Sequence, residues 1–595
     1  MLAILSIAPA SHSCQASTAH GPLPGIEVVV VGAGISGLTA ALEAARGGAK
    51  VTVLDMSSVF GGHAVMAEGG VNIVDSPRHH AEGIHDSAEL AYKDFVTWGE
   101  DVSTDWVRYY VTHSRREVYD WLTELGVVFD KIRVTGGNSV PRFHEARGRG
   151  LGLVTPIYRE CVSHANITFA WNTQATGLTV NGGRVTGVEA RDLRTGQVRH
   201  FRASAVILAT GGFQNSLQLL REHWPKGVQF PDRLLLGSGV NSIGLGHELA
   251  QRAGAALSHM DYQWNYPYGI PDPRHRSEGR GLNAKSTGSI WLNANGQRFI
   301  NEVASPKFSF PAMLKQRGAT FWAIFDAQTK PFFEISGTDW GDAATVQRLI
   351  FDNPDLVKIA GSIADLANAT GLPGAQLIES IRRYNALVGN GDDTDFGRFG
   401  PSSERYKGQT IRLLTPPLKI ERPPFYAVQF FPLTRKSNGG VRVDLSCHVL
   451  DAANRPIPGL FAVGELTGSA GINGKAGLEG VWLGPGIAMG RVAARAVLKE
   501  SQTAATKTDA NIPVTSNSAP IVSENKSCTD CHGIDALIAK PRSGYWHFEK
   551  VHGVVLERRQ NCIECHAELN PSATQPHRIN KLVQTATCAS CHGAR

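Results

Sequence analysis

The sequence lacks the features that would place it in several large functional classes. Its 59 basic and 53 acidic residues leave a net charge of only +6 and gather in no basic run, so nucleic-acid binding has no support. No stretch beyond the start is apolar over the ~20 residues that a membrane-spanning helix needs. Nine cysteines are present, but outside 526–595 only Cys14, Cys161 and Cys447 remain, which excludes a disulfide framework. No internal repeat occurs apart from one cysteine pattern near the end. The hydrophobic share of 42% is that of an ordinary globular protein, and the length suggests roughly three domains.

What the chain does have begins with that pattern. Cys528-Thr-Asp-Cys531-His532, Cys562-Ile-Glu-Cys565-His566 and Cys588-Ala-Ser-Cys591-His592 follow one another. Each is a c-type haem attachment motif. Two thiols three positions apart add across the vinyl groups of one porphyrin, and the adjoining imidazole reaches the iron. A zinc ribbon would need paired CxxC motifs but no histidine after each. The same segment holds His547, His552 and His577. Three irons with two axial positions each need six ligands, so three low-potential, bis-histidine haems are expected, with His547, His552 and His577 as the distal set. An iron left open, or ligated from elsewhere in the chain, is the alternative. So short a segment cannot bury enough side chain to stand alone, and the porphyrins would serve as its core. Closed irons make the haems carriers of electrons and not catalysts.

The start, residues 1–25, is apolar and then rich in small residues, like a secretion leader without its positive end. Covalent haem is installed outside the cytoplasmic membrane, so a soluble periplasmic protein of a Gram-negative bacterium is expected.

Residues 26–31 form an apolar run that leads into Gly32-Ala-Gly34-Ile-Ser-Gly37 and an alanine-rich helical stretch, and Lys50–Leu54 then ends in Asp55. Strand, glycine turn, helix, strand and carboxylate make a dinucleotide site. The glycines let backbone approach a pyrophosphate, the helix start offers free N–H groups, and Asp55 accepts from a ribose. Gly61-Gly62-His63 through Gly69-Gly70 add a second glycine-rich loop; Val206 through Thr210-Gly211-Gly212 and Pro458 through Gly464-Glu465 are strands running into further turns.

With these motifs the chain resembles the fumarate reductase and succinate dehydrogenase flavoprotein superfamily, and within it the soluble flavocytochromes c, from about Ile26 to Val497. The resemblance implies FAD as the dinucleotide, completed by the Thr210-Gly211-Gly212 and Gly464-Glu465 segments. It also implies a helix after Gly477-Leu478-Glu479-Gly480 whose N-terminus favours the reduced flavin. His63 stands where membrane-bound relatives carry FAD covalently, whereas soluble ones bind it noncovalently, and both forms remain open.

The expected fold is α/β: a Rossmann-like FAD-binding domain (26–260 and 438–498) with an inserted α+β capping domain (261–437), a linker (499–525) and a small haem-organised domain (526–595). The capping segment holds Ser289 through Asn301-Glu302, a hairpin signature of the family. The fumarate-handling residues do not carry over. The proton-donating arginine falls on Pro306 with Lys307 beside it, and the threonine–glutamate pair is missing near Leu282. Substrate histidines fall on Tyr266 and Lys436, and the carboxylate-binding arginine falls on Lys475.

The expectation is therefore hydride exchange between FAD and an activated carbon–carbon bond of an anionic or carbonyl substrate, of enoate-reductase type, but not fumarate reduction of the usual kind. Arg435, Lys436 and Lys475 would keep the site positive, and Tyr266 or Lys307 would handle the proton. Trp264, Tyr266 and Tyr268 hint at a larger or flatter substrate. Arg142 and His144 rank behind these. A periplasmic or membrane-bound protein would exchange electrons with the haems. The same parts run in reverse make a dehydrogenase, and a degenerate site would leave an electron-transfer module.

Overall fold

A computed structural model of the chain describes residues 25–275, 279–405 and 415–508. Residues 1–24 of the expected leader and the segment expected to carry three haems, with its motif cysteines and histidines from Cys528 to His592, lie outside the described residues.

The fold is mixed α/β. Its first sheet has the strand order His448–Leu450, Pro456–Ala462, Ala205–Leu208, Glu27–Val31, Lys50–Leu54, Ile167–Ala170, all neighbours parallel except the first pair. Val28–Val31 and Ala205–Leu208 are buried throughout, which is why they read as continuous apolar runs and do not alternate. The helix Ile35–Arg46 follows the first strand and packs along the closing helix Leu483–Thr508. Small residues allow the approach: a Cβ on Gly490 would come within 2.6 Å of the Ser36 carbonyl oxygen. Glu43 receives Arg491 at 3.0 Å and Arg495 at 3.2 Å, pinning the pair. The closing helix runs to Thr508, into the stretch expected as linker. Lys499, Glu500, Gln502, Ala504 and Ala505 are good helix formers, and a tally of threonines and serines hides that.

The second sheet is mostly antiparallel and is organised on the 13-residue strand Phe425–Ser437. That strand pairs antiparallel with Gln263–Pro271, Phe321–Asp326 and Val357–Ala360, and parallel with Leu235–Leu236. Against Gln263–Pro271 the ladder is irregular on either side of Tyr266; such bulges re-aim a side chain. Tyr266, Arg435 and Lys436 thereby arrive at the edge of the first sheet's glycine turns.

Candidate active site

The glycine turn after Val31 is built for close approach. Gly32 has φ +112, and a Cβ there would meet the Ala209 carbonyl oxygen at 2.4 Å. A Cβ on Gly37 would lie 1.9 Å from the Gly32 oxygen, whereas one on Gly34 would meet nothing within 4 Å. Gly34 therefore faces open space at the start of a helix that has no side-chain cap, where free N–H groups suit an anion. Asp55 accepts from Ala33 N at 2.6 Å and Ser57 N at 2.7 Å. Burial pushes its carboxyl up to about 6, against those two N–H groups.

A groove runs from Leu54 and Asp55 past Gly34, Gly62, His63, Thr210 and Gly211. At Gly34, His63 and Gly211 it meets a second cavity lined by Glu68, Gly69, Gly70, Tyr266, Asn283, Lys285, Arg435, Lys436, Glu465, Glu479 and Trp482. Buried Thr210 Oγ1 has no hydrogen-bond partner among the described residues. Open space at Gly34, the orphaned hydroxyl of Thr210 and the Asp55 carboxyl fit a dinucleotide. Gly212 and Gly464 instead serve packing, since a Cβ there would strike Glu465 Oε1 at 2.5 Å and Ser36 Oγ at 2.4 Å respectively.

The match to the FAD-binding domain family covers residues 27–483. The chain belongs to the FAD-binding flavoproteins of the fumarate reductase and succinate dehydrogenase superfamily. This flavoprotein is an FAD-dependent oxidoreductase. It is 30% identical to a cytochrome-type fumarate reductase of Shewanella frigidimarina over 84% of this chain and 81% of that one. It is also 30% identical to a KsdD-like steroid dehydrogenase of Mycobacterium tuberculosis over 80% of this chain and 96% of that one. Among solved structures, the open conformation of a flavocytochrome c3 fumarate reductase superposes with a TM-score of 0.65 at 27% identity, covering 80% of the flavoprotein and 79% of the other chain.

In the second cavity of the flavoprotein Tyr266 is the hub. Lys436 Nζ donates to its oxygen at 3.0 Å, and its hydroxyl donates to Glu479 Oε1 at 3.1 Å. Burial, aided by Glu479, raises the Tyr266 phenol well above its ordinary value, so it stays protonated. Burial lowers Lys436 to about 8, against the pull of Glu479. Its ammonium sits 3.7 Å from the centre of the Trp482 ring, a cation–π contact, and Trp482 Nε1 is fixed by Asn438 Oδ1 at 3.1 Å. Arg435 donates to the carbonyls of Gly237 and Met66, while its buried Nε has no partner among the described residues. Burial lowers its pKa. His63 Nδ1 lies 3.4 Å from Glu465 Oε2 and 3.3 Å from Ser238 Oγ, and burial lowers its pKa.

Four expected site residues lie elsewhere. Lys475 is exposed and does not line the cavity: its backbone N–H is tied to the Gly99 carbonyl at 2.9 Å and the side chain leaves the fold. Lys307, on the helix Pro306–Leu314, is occupied by the Trp98 carbonyl at 2.7 Å and Glu100 at 2.9 Å, beside a separate cavity. Arg142 is enclosed by Asp86 at 2.7 Å and Asp94 at 2.6 Å. His144 bonds Ser76 Oγ at 2.7 Å, and burial lowers it to about 3. Both belong to a polar core beneath the site: Arg142 donates to Asn138, Asn138 accepts from Asn72, and Asn72 N donates to the Gly480 carbonyl at 3.1 Å. Leu478 packs into the hydrophobic core and not against the groove.

Glu68, Lys285, Glu479 and Trp482 carry no role in the sequence reading. Glu68 accepts from Lys285 at 2.5 Å and Arg133 at 2.9 Å. Burial alone would raise its carboxyl, but those two cations outweigh it and hold it well below the usual range.

Proposed function

We propose that the chain saturates an activated carbon–carbon double bond next to a carbonyl or carboxylate, with three c-type haems on the 526–595 motifs supplying electrons from a periplasmic or membrane-bound donor. Chemistry on a CH–CH bond is common to its relatives. Bound FAD would supply the hydride. Gly34, Asp55, Thr210 and Gly211 would hold it, and the helix Leu483–Thr508, whose Leu483 lines the cavity, would turn a positive end toward it. Saturation needs one proton in addition to the hydride.

Tyr266 is the donor of that proton. The observation that carries the reading is a phenol kept protonated by burial, set between the Lys436 ammonium at 3.0 Å and the Glu479 carboxylate at 3.1 Å. Lys436 stabilises the phenolate left behind. Glu479, 30% exposed, connects Tyr266 to solvent for its return to the neutral form. Arg435 and Lys436 offer N–H groups to the oxygen of a substrate carbonyl, where charge develops. A phenol held in its protonated form starts the cycle as the proton donor that the reducing direction needs. The haem assignment rests on the three CxxCH motifs, and the periplasmic address follows from it.

Tyr266→Phe tests the role. Flavin content should be unchanged and kcat should fall about 10²–10⁴-fold, the usual contribution of a positioned acid. A kcat within threefold of wild type would remove Tyr266 from the mechanism. Haem reduction by a saturated substrate, with no reoxidation by the unsaturated one, would favour the dehydrogenase instead.

A further inference from the structure

The charges on the wall of the reactive cavity are Lys285, Arg435 and Lys436 against Glu68, Glu465 and Glu479. Two of the cations already have carboxylates. Lys285 is 2.5 Å from Glu68, which also takes Arg133 at 2.9 Å and the Ser336 hydroxyl at 3.2 Å. Lys436 is 3.9 Å from Glu479 and bonded to Tyr266. Arg435 differs. Among the described residues it makes no ion pair, and its buried Nε has no partner.

The wall formed by Lys285 and Glu68 offers an acceptor where a second anion would need a cation. Asn283, 6% exposed, donates through Nδ2 to Ser336 at 2.8 Å, which leaves Oδ1 without a partner among the described residues. A carboxylate brought to this wall would be stripped of water beside the Glu68 carboxylate, with Lys285 already neutralised. A buried charge without its own partner is strongly disfavoured, and selectivity commonly comes from such a repulsive element.

We propose that Glu68 is a specificity-determining residue. Together with Glu145, 3.5 Å from Arg133, it closes Lys285 and Arg133 into a neutral cluster, which leaves no cation on this wall for a second anion and confines anchoring to Arg435 and Lys436 on the other. The site then takes conjugated carbonyl compounds with a single anionic or carbonyl head and an uncharged far end, and it turns away dicarboxylates. This inference rests on the reductase reading above and narrows its substrate class.

The test compares an enoate dianion with its half-ester, using full-length holoprotein in wild-type and Glu68→Gln forms. Flavin and haem reoxidation is followed after reduction with dithionite and addition of fumarate or monomethyl fumarate. In parallel, the flavin spectrum of oxidised protein is titrated with succinate or monomethyl succinate, which reads binding without turnover. Wild type should favour the half-ester at least tenfold in both measurements. Glu68→Gln, which frees Lys285, should shift the ratio at least tenfold toward the dianion. Equal or better handling of the dianion by wild type, or an unchanged ratio in Glu68→Gln with flavin retained, overturns the inference. Failure of both compounds to reoxidise the protein overturns the reductase reading, and the binding titration then still decides on Glu68.

Discussion

Replacing Lys436 with glutamine removes a buried ammonium and the donor to Tyr266 while keeping the length of a polar side chain. A hydrogen bond from a charged group contributes about 1.5–3 kcal/mol, so kcat/KM should fall roughly 10- to 150-fold. The pH dependence is more specific. The folded protein holds Lys436 at about 8, down from 10.5, chiefly through burial. The protonated form is the one that supports Tyr266, so wild-type activity should decline as pH rises through about 8. In Lys436→Gln that alkaline limb should disappear, and in Lys436→Arg it should move beyond the accessible range.

Stability should respond in the opposite sense. Because the folded pKa lies below the unfolded one, the unfolded chain binds more protons between pH 8 and 10.5, and stability rises with pH across that window. Below pH 8 the full penalty applies, on the order of 3 kcal/mol for such a shift. Lys436→Gln should therefore lose activity at pH 7 without a lower Tm. Stopped-flow reoxidation across pH 6–10 with parallel thermal melts reads both. A variant that keeps the limb near pH 8 and wild-type kcat/KM would refute the reasoning.

Three further outcomes follow from named contacts. Gly34→Ala should fold with a wild-type melt yet lose FAD, because its Cβ enters open space at the helix start, whereas Gly37→Ala should fail to fold stably because its Cβ would lie 1.9 Å from the Gly32 oxygen; flavin content and circular dichroism separate the two. Arg142→Met should lose about 3–5 kcal/mol by leaving Asp86 and Asp94 buried without their cation, read by denaturant unfolding. Mutating both cysteines of any one CxxCH motif should remove one porphyrin from the intact mass of protein matured in the periplasm.

The parts of the site legible in the sequence are those fixed by short-range backbone geometry. Gly32, Gly34 and Gly37 with Asp55 declare themselves because a strand, a turn and a helix must meet within a few residues of a phosphate. Residues that converge from distant segments are harder. Glu68 lies in the second glycine-rich loop, just before Gly69, and Lys285 on a strand of the second sheet, and nothing local pairs them. Lys475 and Lys307 carry the right charge in a plausible stretch, yet one points to solvent and the other is held by Trp98 and Glu100. Glu479 stood within a recognised motif, but its role depends on Tyr266 arriving from the second sheet through an irregular ladder. Arg142 and His144 attract notice because they sit in a glycine- and arginine-rich stretch; in the fold Arg142 is spent on Asp86 and Asp94, and a neutral His144 on the Ser76 hydroxyl, beneath the cavity.

The most direct measurement is reoxidation of the fully reduced full-length protein by a conjugated monoanion such as monomethyl fumarate, followed at the flavin and haem bands together. The account predicts that both bands reoxidise at a common rate, with saturated half-ester as product, and that Tyr266→Phe slows both. Haem bands that stay reduced while flavin turns over, or a protein with no haem band at all, would contradict it.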